Sequence, residues 1–218
     1  MPVNKLLQLL FPPKCMLCGG TMQDEEGICP ACRQKILLNT APPRAEKGAF
    51  FDKAVAGLWY EGDVRRAIHG LKYREKQAYA RPLARVMAYA CAHKMGEEAD
   101  LITFVPTNPA TLHRRGYNQA ELLARELALL LELPCLATLE KVRATQPMHG
   151  LRPEARRANV LGAYRLAVSA EAVAGRRILL ADDILTTGST LSECARMLKM
   201  AGAERVFGLC AAAARKTS

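Results

Sequence analysis

The sequence predicts an α/β protein: a mostly parallel sheet flanked by helices, preceded by a small cysteine-rich module. Three observations predict it. The first is RILLADDILTTGSTL, Arg177 to Leu191, where an apolar run meets two aspartates, a hydroxyl-rich turn and a helical pattern. The second is the alternation of short apolar runs with helix-period segments between Val55 and Cys210, the pattern of strands joined by crossover helices. The third is Cys15-x-x-Cys18, ten residues, then Cys29-x-x-Cys32.

A chain of 218 residues has room for one domain and a small appendage. The expected division is a cysteine module over 1–40, a linker over 41–48 and the α/β domain over 49–218. In a reducing compartment the two C-x-x-C pairs read as one four-thiolate zinc site, closed and structural. A redox pair or two disulfides are the alternatives. Gly19-Gly20 permits the positive φ angles of a metal knuckle. Zinc would contribute on the order of 10–16 kcal/mol to a segment too small for its own core. The other cysteines, Cys91, Cys135, Cys194 and Cys210, sit singly in apolar patterns and read as core.

The segment NTAPPRAEKG, from Asn39, is poor in apolar residues and reads as the linker. Val55 to Tyr60 predicts the first strand, and Glu61-Gly62-Asp63 a turn. Val64, Ala67, Ile68 and Leu71 then fall at helical spacing. Pro82 opens a second helix with Leu83, Val86, Met87 and Ala90 on one face. Leu101 to Val105 predicts a short strand ending at Pro106. Asn118 with Glu121 forms a candidate capping box. The helix behind it has an apolar stripe of Ala120, Leu123, Ala124, Leu127, Leu130 and Leu131. A last helix starts at Thr190, and Val206 to Cys210 is the final strand.

The net charge is +10. Lys141 to Arg177 holds eight basic and two acidic residues, and Glu61 to Lys94 holds eight and three. Such clusters suit a pyrophosphate, a nucleotide or a nucleic-acid backbone, or are simply solvated helix faces. No apolar run approaches the roughly 18 residues of a membrane span, and Val3 to Pro12 makes a poor signal peptide. A cytoplasmic location is expected.

The Arg177–Leu191 segment places a glycine- and hydroxyl-rich loop at the C-terminal end of a buried strand. Ligands bind at that edge of an open α/β sheet, and the N–H groups at a helix start suit a phosphate. Paired carboxylates suit sugar hydroxyls or a magnesium-linked network. Ordinary helix capping by Thr187 or Ser189 is the alternative. The full string, Ile178 to Ala181, Asp182-Asp183 and Thr186-Thr187-Gly188-Ser189-Thr190, resembles the phosphoribosyl pyrophosphate (PRPP) motif of type I phosphoribosyltransferases. The resemblance implies that Asp182 and Asp183 face the ribose hydroxyls, and that Thr186, Thr187, Gly188, Ser189 and Thr190 cradle the 5′-phosphate. It also implies Mg2+ with PRPP if the site is catalytic.

A second loop, VPTNPATLHRRGYNQAELLA, follows the Leu101–Val105 strand and should open on the same sheet edge. By analogy with the same transferases, Thr107 and Asn108 would hold the pyrophosphate, with Arg115 nearby and Lys72 of LKYRE as a further contact. Surface charge is the alternative for Arg114, Arg115 and Lys72. Residues 141–159 are basic and interrupted by Pro147, Gly150 and Pro153, and resemble the flexible hood that closes over PRPP. Lys141, Arg143, Thr145 and Gln146 are its candidate contacts, and His149 is a candidate proton carrier or an exposed residue.

The cysteine cluster, LKYRE, RRGYNQAELLA, KVRATQ, RRANVLGAYRL and ILLADDILTTGSTL, in that order, are similar to the ComF family of competence-associated, phosphoribosyltransferase-like proteins. That resemblance implies a PRPP or phosphoribosyl ligand and a role in DNA uptake and the handling of incoming single-stranded DNA. One expected activity is pentosyl transfer from PRPP to an unidentified acceptor. The others are a non-catalytic nucleic-acid-binding accessory protein, partnered with single-stranded DNA or DNA-uptake proteins, and a PRPP-sensing regulator. Tyr73, Tyr117 and Tyr164 could stack on bases, or lie in the core or at its rim.

Overall fold

A computed structural model describes residues 12–22, 27–38, 49–71, 73–146 and 152–215. Four parallel strands form the main sheet in the order β1, β6, β5, β2. They are β1 (Lys53–Trp59), β2 (Leu101–Phe104), β5 (Arg177–Leu185) and β6 (Arg205–Ala213). The two central strands are apolar almost throughout because helices cover both faces. A short antiparallel hairpin pairs β3 (Leu139–Lys141) with β4 (Tyr164–Leu166). The expected parallel sheet is present, and the linker expected over 41–48 lies outside the described residues.

The described helices are α1 (Pro30–Leu38), α2 (Gly62–Gly70), α3 (Ala80–Ala90), α4 (Pro109–Arg115), α5 (Gln119–Leu131), α6 (Pro153–Val160) and α7 (Ser189–Met200). A Cβ on Gly57 of β1 would lie against Val86 of α3, whereas one on Gly208 of β6 would lie against Leu191 of α7. Gly208 is level with Ala54, three residues from Gly57 along β1. Side chains alternate along a strand, so α3 and α7 occupy opposite faces. α3 packs on α5, which lies over β5 and β2.

Most elements fall where the apolar periodicity put them, with three corrections. The described parts of 141–159 include regular structure: Lys141 ends β3, and Pro153 starts α6 at a helix position where its missing N–H costs nothing. Asn118 caps α5 through Ala120 N, but Glu121 turns outward to Arg125 instead of completing a capping box. Leu130 is exposed, while Gln119, Ala120, Leu123, Ala124 and Leu127 are the buried residues of α5 and Leu131 packs against the core edge.

The cysteine module docks on this domain. The space beside Gly27, at φ +80°, is filled by Pro82 of α3 only 2.6 Å from where a Cβ would lie. A solvent-open cavity of about 340 Å3 separates Ile28, Arg33 and Ile36 of the module from Pro82, Arg85, Val86 and Tyr89 of α3.

Gly57 gives a direct check on the close approach of α3 to the sheet. A methyl there would sit 2.6 Å from Val86 Cγ1 and 3.3 Å from the carbonyls of Val86 and Ala211. Gly57→Ala is expected to destabilise the fold by about 1–3 kcal/mol, read as a lower urea midpoint.

Candidate functional site

The site exists because two neighbouring strands differ in length. β2 stays level with β5 only as far as Phe104 opposite Ala181, with one more bond from Val105 N to Ala181 O. Beyond that bond Val105 O accepts from Asn118 Nδ2 and Asp183 N donates to Asp182 Oδ1, so neither group continues the ladder. β5 runs on to Leu185, still paired with β6. The flank of Asp182 to Leu185 that β2 leaves uncovered becomes one wall of a cavity of about 320 Å3.

Of the residues expected in the site, Thr107, Arg115, Lys141, Asp182, Asp183, Thr186 and Thr190 line this cavity, as does Thr145. The β5–α7 turn, the β2–α4 turn and the hairpin are thereby brought to one place. Thr187, Gly188 and Ser189 are in the same turn but are not among the cavity-lining residues. Gly188 takes φ +76°, which suits glycine, and directs the chain into α7. Thr187 and Ser189 hydroxyls meet at 2.9 Å. The N-cap position of α7 is Gly188, which has no side chain to cap the helix.

Asn108 is the N-cap of α4, its side chain accepting from Ala110 N. Arg143 turns away from the cavity and donates to the carbonyls of Asn159 and Leu161. Gln146 is tied to Asn159 through its backbone in both directions. Arg114 is exposed on α4. Lys72 and His149 lie outside the described residues. Two of the tyrosines considered for base stacking are not available for it: Tyr117 is buried with its hydroxyl donating to Leu71 O, and Tyr164 is buried against the hairpin. Tyr73 is exposed.

The electrostatics are those of crowded acids facing half-buried cations. Burial, then the adjacent Asp183 carboxylate, pushes Asp182 well above the ordinary carboxylate range, while Asp183 N and Lys141 pull against that. Asp183 N donates to Asp182 Oδ1 at 2.8 Å. Burial lowers Lys141, whose ammonium donates to Thr145 Oγ1 at 2.8 Å and lies 5.4 Å from the Tyr164 ring. Glu193 of α7 accepts from Gly162 N and from Arg196, so the helix behind the phosphate-type turn also holds the base of the hairpin.

Sequence reasoning missed Gln119. It lies at the start of α5 beside Arg115, lines the cavity, and is buried. The signal was its place in RRGYNQ, where Tyr117 and Asn118 turn out to be locks: Asn118 donates to Val105 O and accepts from Ala120 N.

The metal centre is separate. The sulfurs of Cys15, Cys18, Cys29 and Cys32 all lie within 4.8 Å of one another. A tetrahedron with Zn–S bonds of about 2.3 Å has sulfur–sulfur edges of roughly 3.8 Å, and Cys18 and Cys29 are 3.8 Å apart. Gly19 at φ +74° makes the first knuckle, Gly20 N donates to Cys18 Sγ, and Cys29 N donates to Cys15 Sγ. Burial raises Cys15, but the N–H groups of Cys29, Cys18 and Leu17 outweigh it and bring the thiol down to about 7. Burial and the three neighbouring sulfurs push Cys32 up to about 12. Four thiolates cannot share this space without a dication, and the donor set fits a structural zinc.

Comparison with known proteins agrees with this geometry. Residues 110–218 match the phosphoribosyl transferase domain and residues 6–46 the double zinc ribbon domain. The chain is thus a phosphoribosyltransferase-type α/β protein with an N-terminal zinc ribbon carrying one cysteine tetrad. It is 33% identical over 205 residues to Competence protein F of Haemophilus influenzae, covering 90% of this chain and 84% of that one. It is 30% identical over 203 residues to the DNA utilization protein YhgH of Salmonella typhimurium, covering 90% and 88%. The chain belongs to the ComF family. Among solved structures it resembles adenine phosphoribosyltransferase from Thermoanaerobacter pseudethanolicus, with 18% identity, 80% and 85% coverage and a TM-score of 0.39. No described helix is long and apolar enough to cross a membrane.

Two outcomes follow. Purified, reduced protein should carry about one zinc per chain by metal analysis, and Cys29→Ser should lower both the zinc content and the melting temperature. Asp182 has a folded-state pKa above its unfolded value near 3.8. Its contribution is fully present below about pH 4 and is lost as pH rises through the raised value. Asp182→Asn should therefore melt above the native protein at pH 8, the gap closing towards pH 4.

Proposed function

We propose that the cavity binds PRPP or a ribose-5-phosphate moiety, and that the protein serves DNA uptake and the handling of incoming single-stranded DNA. The observation that carries the first part is the convergence of the Asp182–Asp183 pair with the start of α7, whose N-cap is glycine, at one cavity. The acids would take the ribose hydroxyls, and Thr186, Thr187, Gly188, Ser189 and Thr190 the 5′-phosphate. The diphosphate would lie over Thr107 and Asn108, near Arg115, with Lys141 across the cavity. Lys72 and Arg143 are further proposed basic contacts. The same reading divides the chain into a zinc module over 1–40, a linker over 41–48 and the ligand-binding domain over 49–218, in a cytoplasmic protein. The second part is supported by the names of the relatives, which concern competence and DNA utilization.

If the site turns over, the C1–oxygen bond of PRPP breaks, its electron pair leaves with pyrophosphate, and an acceptor lone pair forms the new bond at C1. The chain contributes placement and cationic stabilisation of the leaving group. Mg2+ bound with PRPP would neutralise diphosphate charge. Asp182 and Asp183 would be the catalytic residues through their hold on the ribose. A second reading keeps the ligand site without turnover, as a nucleic-acid-binding accessory protein or a PRPP sensor. The excess positive charge and the exposed Tyr73 favour it.

The test compares native protein with Asp182→Asn/Asp183→Asn for PRPP binding, pyrophosphate release and single-stranded DNA affinity at two salt concentrations. Native protein should bind PRPP, and the double variant should lose at least tenfold. Salt-dependent DNA binding with no PRPP binding would overturn the phosphoribosyl reading. PRPP-dependent turnover without DNA affinity would overturn a direct role on DNA.

A further inference from the structure

We propose that Arg115 and Gln119 act as one unit that reads the diphosphate end of the ligand. Gln119 positions the guanidinium through Oε1 and offers its Nε2 to a diphosphate oxygen. The inference rests on the phosphoribosyl reading of the cavity and adds a residue and a subsite to it.

Gln119 Oε1 accepts from Arg115 Nη1 at 2.6 Å. A guanidinium has only donors to offer, so this bond fixes which way the amide faces. The oxygen meets arginine, and the NH2 group faces elsewhere. That Nε2 is sealed from solvent and has no hydrogen-bond partner among the described residues. Gln119 is 7% exposed. A buried donor left unpaired is costly and uncommon in folded proteins, and it calls for an occupant. Gln119 lines the ligand cavity, so an acceptor entering that cavity is the group placed to pair with it.

The acceptor must be electron-rich. Arg115 stands beside the amide, and Gln119 opens α5, where the helix dipole favours negative charge. Location selects the diphosphate over the 5′-phosphate. Arg115 and Gln119 line the cavity with Val105, Pro106 and Thr107 at the end of β2. The α7 start lies at the end of β5, one strand over and several residues further along. Tyr117 and Asn118, between the two residues, donate to Leu71 O and Val105 O. They hold the backbone so that positions 115 and 119 share one wall.

The test is titration calorimetry of the full, zinc-loaded chain with PRPP, inorganic pyrophosphate and ribose 5-phosphate. Native protein is compared with Gln119→Glu, which keeps an acceptor for Arg115 but replaces the donor with a negative charge. Gln119→Met, neutral and similar in length, is the companion should the charged variant fail to fold. Each variant should lose roughly tenfold or more for PRPP and pyrophosphate, while ribose 5-phosphate affinity stays within about twofold. A merely structural role would weaken all three alike, and that result overturns the proposal, as does unchanged affinity for all three. Native protein that binds ribose 5-phosphate but neither diphosphate compound overturns this inference alone. Native protein that binds none overturns the phosphoribosyl reading and this inference together.

Discussion

β5 stays bonded to β6 through Leu185, whereas β2 lets go of β5 at Ala181. That unequal pairing organises the domain. It leaves a notch at the C-terminal edge of the sheet, and it obliges the β2–α4 turn to descend beside strand residues, not beyond them. The ladder ends where Val105 O turns to Asn118 Nδ2 and Asp183 N to Asp182 Oδ1. With β2 four residues longer, the cavity wall would be an ordinary sheet face. The acids sit on strand backbone for the same reason, which holds them more rigidly than a loop would. Asp182 is level with Cys210 of β6 and hydrogen-bonded to Asp183 N. Its raised pKa comes first from burial and then from the adjacent Asp183 carboxylate.

The zinc ribbon is attached by packing as well as by chain. Gly27 and Pro82 meet at a distance that admits no side chain on the glycine. Cys32, a metal ligand, also lines a second gap facing Leu58, Trp59 and Val64. The metal therefore orders one side of an interface whose other side is the first strand and α3. Loss of zinc would expose apolar surface on both partners, because neither module nor domain covers it alone.

Much of the fold was legible because the parallel strands are apolar on both faces and the helices carry clean stripes. Boundaries at β5 were less so. Asp182 and Asp183 look like the end of a strand, since aspartate is poor in strands, yet pairing with β6 carries the strand through them. α4 left no periodic signal because none of its residues is buried. The hairpin strands span three residues each, too short for alternation to register. At the site, the residue types of the β5 turn announced a sugar phosphate, and Thr107, Arg115 and Lys141 do line the same cavity. Gln119 escaped because, although its place in RRGYNQ hints at a role, only the bond to Arg115 and its burial in the cavity wall set it apart from a solvated helix-opening glutamine. Tyr117 misled because an aromatic beside arginines looks like a base platform, and only the tertiary contact with Leu71 shows it to be a brace.

The uncovered flank of β5 has a consequence for the behaviour of the protein in crowded solution. An unpaired strand edge is a template for adding a foreign strand, and natural sheets guard such edges. Here the stretch that β2 leaves uncovered runs only from Asp182 to Leu185, begins with two carboxylates, and is recessed among Arg115, Lys141 and Tyr164. An invading strand would have to pass charged side chains to pair with fewer than half a dozen residues. The recess is thus guarded against strand addition by its own charge and shortness.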